Sequence, residues 1–115
     1  MSTNKTNLKP LNEFELVNKL AGGDFNAFDA LFKLYNKRLY HFVTPLLKSN
    51  EDAEDVVQEV FVRIWDNRDN IKTGHSFKSF LFTIAYNIIV DHLRRRMVDV
   101  KFRKNLEKNI QADFT

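Results

Sequence analysis

Residues 51–66 read EDAEDVVQEVFVRIWD, and their periodicity decides the fold class. Ala53, Val56, Val57, Val60, Phe61, Ile64 and Trp65 recur at alternating steps of three and one, which lays one continuous apolar stripe along an α-helix. The other side carries Asp52, Asp55, Glu59 and Asp66, with Gln58 and Arg63 beside them. Such a stripe packs into a core and leaves the polar side to water or to a partner. Ser49 and Asn50 supply N-caps, and Glu51, Asp52 and Glu54 suit the positive end of the helix dipole. Asp55, Gln58 and Glu59 lie beyond the first turn, so local helix physics leaves them unexplained.

Upstream, Asn12 reads as an N-cap with Glu15 three residues on, and Phe14, Val17 and Leu20 form a short stripe. Gly22-Gly23 ends this helix and Asp24 caps the next. That second helix places Phe25, Phe28, Leu31, Phe32, Tyr35, Leu39 and Phe42 at helical spacing, a broad aromatic face expected in the core. Pro45 after Thr44 predicts either a kink or a short restart capped by Thr44. His41 is expected at or near the surface.

Downstream of Trp65, DNRDNIKTGHS has no sustained period and predicts a loop of about ten residues. A fourth helix begins near Ser76 and buries Phe77, Phe80, Leu81, Ile84, Ala85 and Ile88, with His92 as the last candidate on that line. Lys78, Tyr86, Asn87 and Asp91 fall elsewhere on it. Tyr86 can stack on a base and Asn87 can offer it an amide, although both are also ordinary surface residues. Arg94-Arg95-Arg96 is expected at the C-terminal end of this helix. Dipole compensation accounts for one arginine there, and a phosphate-contacting cluster accounts for three. Val98, Phe102, Leu106 and Ile110, spaced by four, predict a further amphipathic helix or the start of a connector.

Composition agrees with this outline. A chain of 115 residues is one domain with a tail at each end, and residues 1–11 read as a flexible leader. Hydrophobic residues at 43%, eleven of the total being Phe, suffice for a small core. Three Gly and two Pro are too few for a turn-rich β fold, so the expectation is an all-α, compact bundle of about four helices. Cysteine is absent, which excludes disulfides and thiolate metal sites. The histidines are scattered, adjacent Asp91 and His92 point in different directions, and no glycine-rich phosphate loop exists. No enzyme, cofactor or metal site is expected. Without a membrane-length apolar run or a signal peptide, a cytoplasmic location is expected. The net charge of +3 hides a segregation. Glu51, Asp52, Glu54, Asp55 and Glu59 fall together, whereas Arg94, Arg95, Arg96, Lys101, Arg103, Lys104 and Lys108 crowd the other end.

DAEDVVQEVFVRIWDN, then a loop, then FKSFLFTIAYNIIVDHLRRR, resembles region 2 of bacterial sigma-70 family factors, and within them the extracytoplasmic-function (ECF) group. FNAFDALFKLYNKRLYHFV is similar to the first part of the same region, and the likeness covers residues 12–97. The D-x-x-Q-E core and the A-x-N-x-x-x-D-x-x-R-R ending together make it specific. The resemblance implies a transcription initiation factor that binds the RNA polymerase core and promoter DNA. Asp55, Gln58, Glu59, Arg63 and Trp65 would dock on the clamp coiled coil of the β′ subunit. The loop at 67–76, with Lys72, His75 and Ser76, and the helix after it would engage the minus-ten element and take a flipped non-template base into a pocket. Tyr86 and Asn87 would contact bases, and Lys78 with Arg94, Arg95 and Arg96 would contact phosphates.

Two departures from the family accompany this. Housekeeping factors carry paired tryptophans where this chain has Thr83 and Ile84, which implies weaker intrinsic duplex opening. The group also carries a C-terminal helix-turn-helix domain, absent from these residues, so 98–115 is expected to begin a connector. Group membership implies an anti-sigma partner, and a nucleoid-associated state when bound to polymerase. The competing readings are a helical protein–protein module without specific DNA readout and a nonspecific nucleic-acid-binding bundle.

Overall fold

The computed structural model describes residues 11–71 and 76–114, with side chains described as far as residue 108. Four α-helices appear among them, α1 (Glu13–Ala21), α2 (Phe25–Leu47), α3 (Asn50–Asp66) and α4 (Phe77–Phe114), with a 3-10 turn at Arg68–Asn70. No strand occurs among the described residues. The all-α expectation holds.

The helix starts form where the sequence places them. Asn12 Oδ1 accepts from the Glu15 N–H at 2.8 Å, and Asp24 Oδ1 accepts from the N–H groups of Asn26 and Ala27. Gly23 takes φ +90, which only glycine adopts without strain, and so lets the chain reverse between α1 and α2. Ser49 Oγ accepts from the Asp52 N–H to open α3, and Ser76 Oγ accepts from the Ser79 N–H to open α4. At Pro45 the helix simply runs on to Leu47. The Thr44 hydroxyl donates to the Tyr40 carbonyl at 2.7 Å, so Thr44 does not cap a restart. Lys48, at φ 57, closes α2 in the left-handed region.

The stripe of α3 is buried from Ala53 to Ile64 and half-buried at Trp65. Against it α2 turns Ala27, Leu31, Tyr35, Leu39, Val43 and Leu47, while α4 adds Phe77, Leu81, Ala85, Ile88 and Ile89. Ring contacts fix the directions. Phe28 and Phe32 meet Phe61 while Phe25 meets Trp65, so α2 and α3 are antiparallel. Tyr35 meets Phe77 and Phe42 meets Phe82, so α2 and α4 run parallel. Three expected core aromatics lie outside: Phe14, Phe25 (62% exposed) and Phe42 are exposed. The buried line of α2 steps by four, so its covered face rotates by about 40° per step and passes Phe25 and Phe42 by.

The largest departure is α4. It continues through Arg94-Arg95-Arg96 to Phe114, 38 residues in all, or about 57 Å at 1.5 Å per residue. No helix end exists at the arginines, so dipole compensation does not explain them. From Leu93 to Lys108 every side chain is exposed. This half of α4 leaves the bundle and gives the described chain its 85 Å length.

Tyr35 ties α1 to the bundle. Its hydroxyl, on a side chain only 4% exposed, donates to a Glu13 carboxylate oxygen. Burial first, then this bond and the Glu13 charge, push the phenol up to about 12, against a smaller opposing effect of Arg38. The folded state therefore holds the phenol proton more tightly than the unfolded chain, whose tyrosines titrate near 10. The linked stability is fully present below pH 10 and is lost as pH rises toward about 12. Tyr35→Phe should lower the urea midpoint at pH 8, and the gap from the parent protein should shrink above about pH 10. A gap constant to pH 12 would remove this linkage.

Candidate functional site

On α3 the residues that neither pack nor cap form an outward strip. Asp55, Gln58 and Glu59 are all exposed. Gln58 leans toward α2, at the rim of a groove lined by Phe32, Asn36, Lys37, Tyr40, Glu54 and Val57. Glu59 leans toward α4 and accepts from Arg63 Nη2 at 2.8 Å, one helical turn on. Val62 stands on the same strip, 57% exposed, among the acidic residues. The strip thus offers carboxylates, an amide and one apolar anchor to a partner surface.

Trp65 is placed apart from this strip. Its ring lies 5.6 Å from Phe25 and 5.2 Å from Phe28, and the Arg68 guanidinium covers it at 4.3 Å from the centroid. Arg68 is held there because its Nη1 donates to the Trp65 carbonyl. The packing of Trp65 closes one end of the bundle, where cation–π contact and burial both act.

A second surface starts where α4 begins. Asn70, Ile71, Ser76, Phe77, Ser79, Phe80 and Thr83 line an open, largely apolar pocket. Ser76, Phe80, Thr83, Asn87 and Arg94 then follow one another at steps of four, three, four and seven, which keeps them in one row along the helix. Lys78, Phe82 and the 61% exposed Tyr86 form a second row at steps of four, about 100° or more around α4 from the first and beside Phe42 of α2. Lys72 and His75 fall outside the described residues. Thr83 is exposed at the pocket while Ile84 is half-buried against the core, so the two positions differ in role.

Helix geometry splits the arginine triplet, because successive residues point about 100° apart. Arg94 continues the row of the pocket and Asn87. Arg95 faces a small cleft between α3 and α4 lined by Glu59, Arg63, Ile88, Asp91 and His92. Arg96 turns back to the α2–α3 corner, where Nη1 donates to the Leu47 carbonyl at 3.3 Å and lies 3.9 Å from Asp52 Oδ2. The three do not form one cluster.

The match to a family model described as Sigma-70 region 2 spans residues 31–97. The chain belongs to the sigma-70 region 2 family. Among its relatives, the ECF RNA polymerase sigma factor SigW of Bacillus subtilis is 29% identical over 83 residues, which are 72% of this chain and 44% of that protein. SigX of the same organism is 29% identical over 69 residues, covering 60% and 36%. The chain thus spans less than half the length of these relatives. A solved structure titled as an engineered region 2 of sigmaE in complex with GTAAAA aligns with a TM-score of 0.69 at 29% identity, over 75% of this chain and 90% of that one. The chain is a region 2 domain of the ECF type.

In this region 2 domain, Val62 is the residue on the α3 strip that periodicity pointed to without its being taken up. It is the one valine of residues 51–66 that falls off the apolar stripe. The continuation of α4 also had a signal, since neither Gly nor Pro occurs after Gly74. No helix among the described residues is long and apolar enough to cross a membrane.

Proposed function

We propose that this domain acts in transcription initiation by holding the RNA polymerase core with α3 and reading single-stranded minus-ten promoter DNA with α4. The α3 strip of Asp55, Gln58, Glu59 and Val62 docks on the clamp coiled coil of the β′ subunit, with Arg63 fixing the Glu59 carboxylate. The pocket at the head of α4 receives an unstacked non-template base, for which apolar walls with a few hydroxyl and amide groups are suited. Asn87 offers donor and acceptor to a base edge, the pairing an adenine accepts. Arg94 and Lys78 meet phosphates. Such a domain works in the cytoplasm at the nucleoid, and an anti-sigma partner would compete for one of these surfaces.

The observation that carries this reading is the row from pocket to Asn87 to Arg94, on a chain similar to a region 2 in complex with GTAAAA. From Ser76 to Asn87 the helix rises about 17 Å. That is about five steps of 3.4 Å, the spacing between the first and last of six nucleotides, so a hexameric element fits.

With core polymerase present, the domain should bind a GTAAAA single strand better than a scrambled one. Asn87→Ala should narrow that preference by about 5- to 30-fold, as expected for one lost edge contact. Arg94→Ala should weaken both strands alike and reduce the salt slope by about 0.7. Equal binding of the two strands by the parent domain would refute the specific readout.

A further inference from the structure

Arg96 lies near the end of the part of α4 that packs on the bundle, and its Nη1 reaches back to the α2–α3 corner. Its reach to Leu47 satisfies one of the carbonyls that the end of α2 leaves without an intrahelical partner. The same guanidinium approaches Asp52 Oδ2, on the first turn of α3. His92, one turn back on α4, brings Nε2 to 3.5 Å from the same carboxylate oxygen, and that nitrogen is buried without a hydrogen-bond partner. Three helices therefore meet in one polar contact at the α2–α3 corner. Arg94 and the end of the Asn87 row lie within two turns of it, and beyond it every described side chain of α4 is exposed.

We propose that Arg96, with Asp52 and His92, is a clasp that sets the angle at which α4 leaves the corner, and thereby positions the recognition row, rather than a phosphate ligand. Physical grounds favour this division. The Nη1 that donates to the Leu47 carbonyl and faces the Asp52 carboxylate is turned toward the bundle corner and away from a phosphate on the Arg94 side. A one-residue change of register also turns it about 100° from Arg95 and 200° from Arg94. Arg96 and Asp52 are positioning residues. They act on DNA only through the geometry of α4, and this consequence for DNA rests on the function proposed above.

Two measurements decide it. The first is thermal unfolding of Asp52→Asn, Arg96→Ala and the double variant, with Arg94→Ala as control. Each clasp variant should lower the thermal midpoint by about 4 °C, the double variant by less than the sum, and Arg94→Ala by nothing measurable. Additive effects, or none, would overturn the clasp.

The second is binding to GTAAAA and scrambled single strands in the presence of core polymerase, below the melting range. Arg96→Ala should keep the parent salt slope and lose at least about threefold in discrimination. Asp52→Asn should lose discrimination likewise, although removing a negative charge by itself favours DNA binding. Arg96→Lys, which keeps the charge but not the planar guanidinium that brings Nη1 to both the Leu47 carbonyl and Asp52, should recover only part of it. A salt slope reduced by Arg96→Ala as much as by Arg94→Ala, with Asp52→Asn neutral, would make Arg96 a phosphate ligand and end the proposal. If the parent domain itself does not discriminate, the readout function fails while the unfolding cycle still judges the clasp.

Discussion

Asp55→Ala combined with Gln58→Ala is expected to reduce affinity for a β′ clamp coiled-coil fragment by at least about 30-fold, the loss of one strong interface contact of about 2 kcal/mol. Stability should stay within about 0.5 kcal/mol of the parent, as for exposed residues without partners. Both side chains are exposed, and among the described residues neither makes a hydrogen bond or ion pair. Alanine is also the better helix former, so α3 is not weakened by the exchange. Glu59 is the poorer choice for this experiment, since its removal also frees Arg63. Binding measured by titration calorimetry and stability by circular dichroism separate the two effects. Unchanged affinity would exclude this strip as the docking surface, whatever the DNA experiments show.

How far the sequence carries depends on which physical signal each element emits. The α3 stripe was legible residue by residue because its steps of three and one match a straight amphipathic helix packed on one side. For α2 the same logic picked Phe25 and Phe42 and passed over Ala27, Val43 and Leu47. That helix packs along α3 and is covered by α1 and then α4 on its other sides, so no single fixed face describes it. Large aromatic side chains also attract the reading toward themselves, whereas burial here follows position. The pocket at the head of α4 was anticipated as a loop feature, yet its described walls come mostly from the first two turns of the helix. The arginine triplet was the hardest case. In one dimension three adjacent cations look like a cluster, and only the continuing helix shows that they diverge. Their different tasks follow from a rotation that no composition count contains.

Leu81→Ala is expected to cost about 2–5 kcal/mol, because the side chain is fully enclosed and its loss leaves a cavity as well as lost burial. Leu81 is 0% exposed, between Phe77 and Ala85 on the line that holds α4 against α2 and α3. Against a total stability of about 5–15 kcal/mol for a domain of this kind, the midpoint should fall by at least about 10 °C. Leu106→Ala makes the same chemical change on the same helix, beyond the clasp, where the side chain is 49% exposed. It should cost no more than about 0.5 kcal/mol. The contrast tests the architecture directly, since helix propensity and side-chain type are held constant and only packing differs. The two variants should also part in function. Below its lowered midpoint, Leu81→Ala should loosen the recognition row while the α3 strip still docks, so DNA discrimination falls before clamp binding does. Leu106→Ala should leave both intact. A Leu106→Ala penalty approaching that of Leu81→Ala, rising with protein concentration, would mean that the outer half of α4 is covered by a second copy.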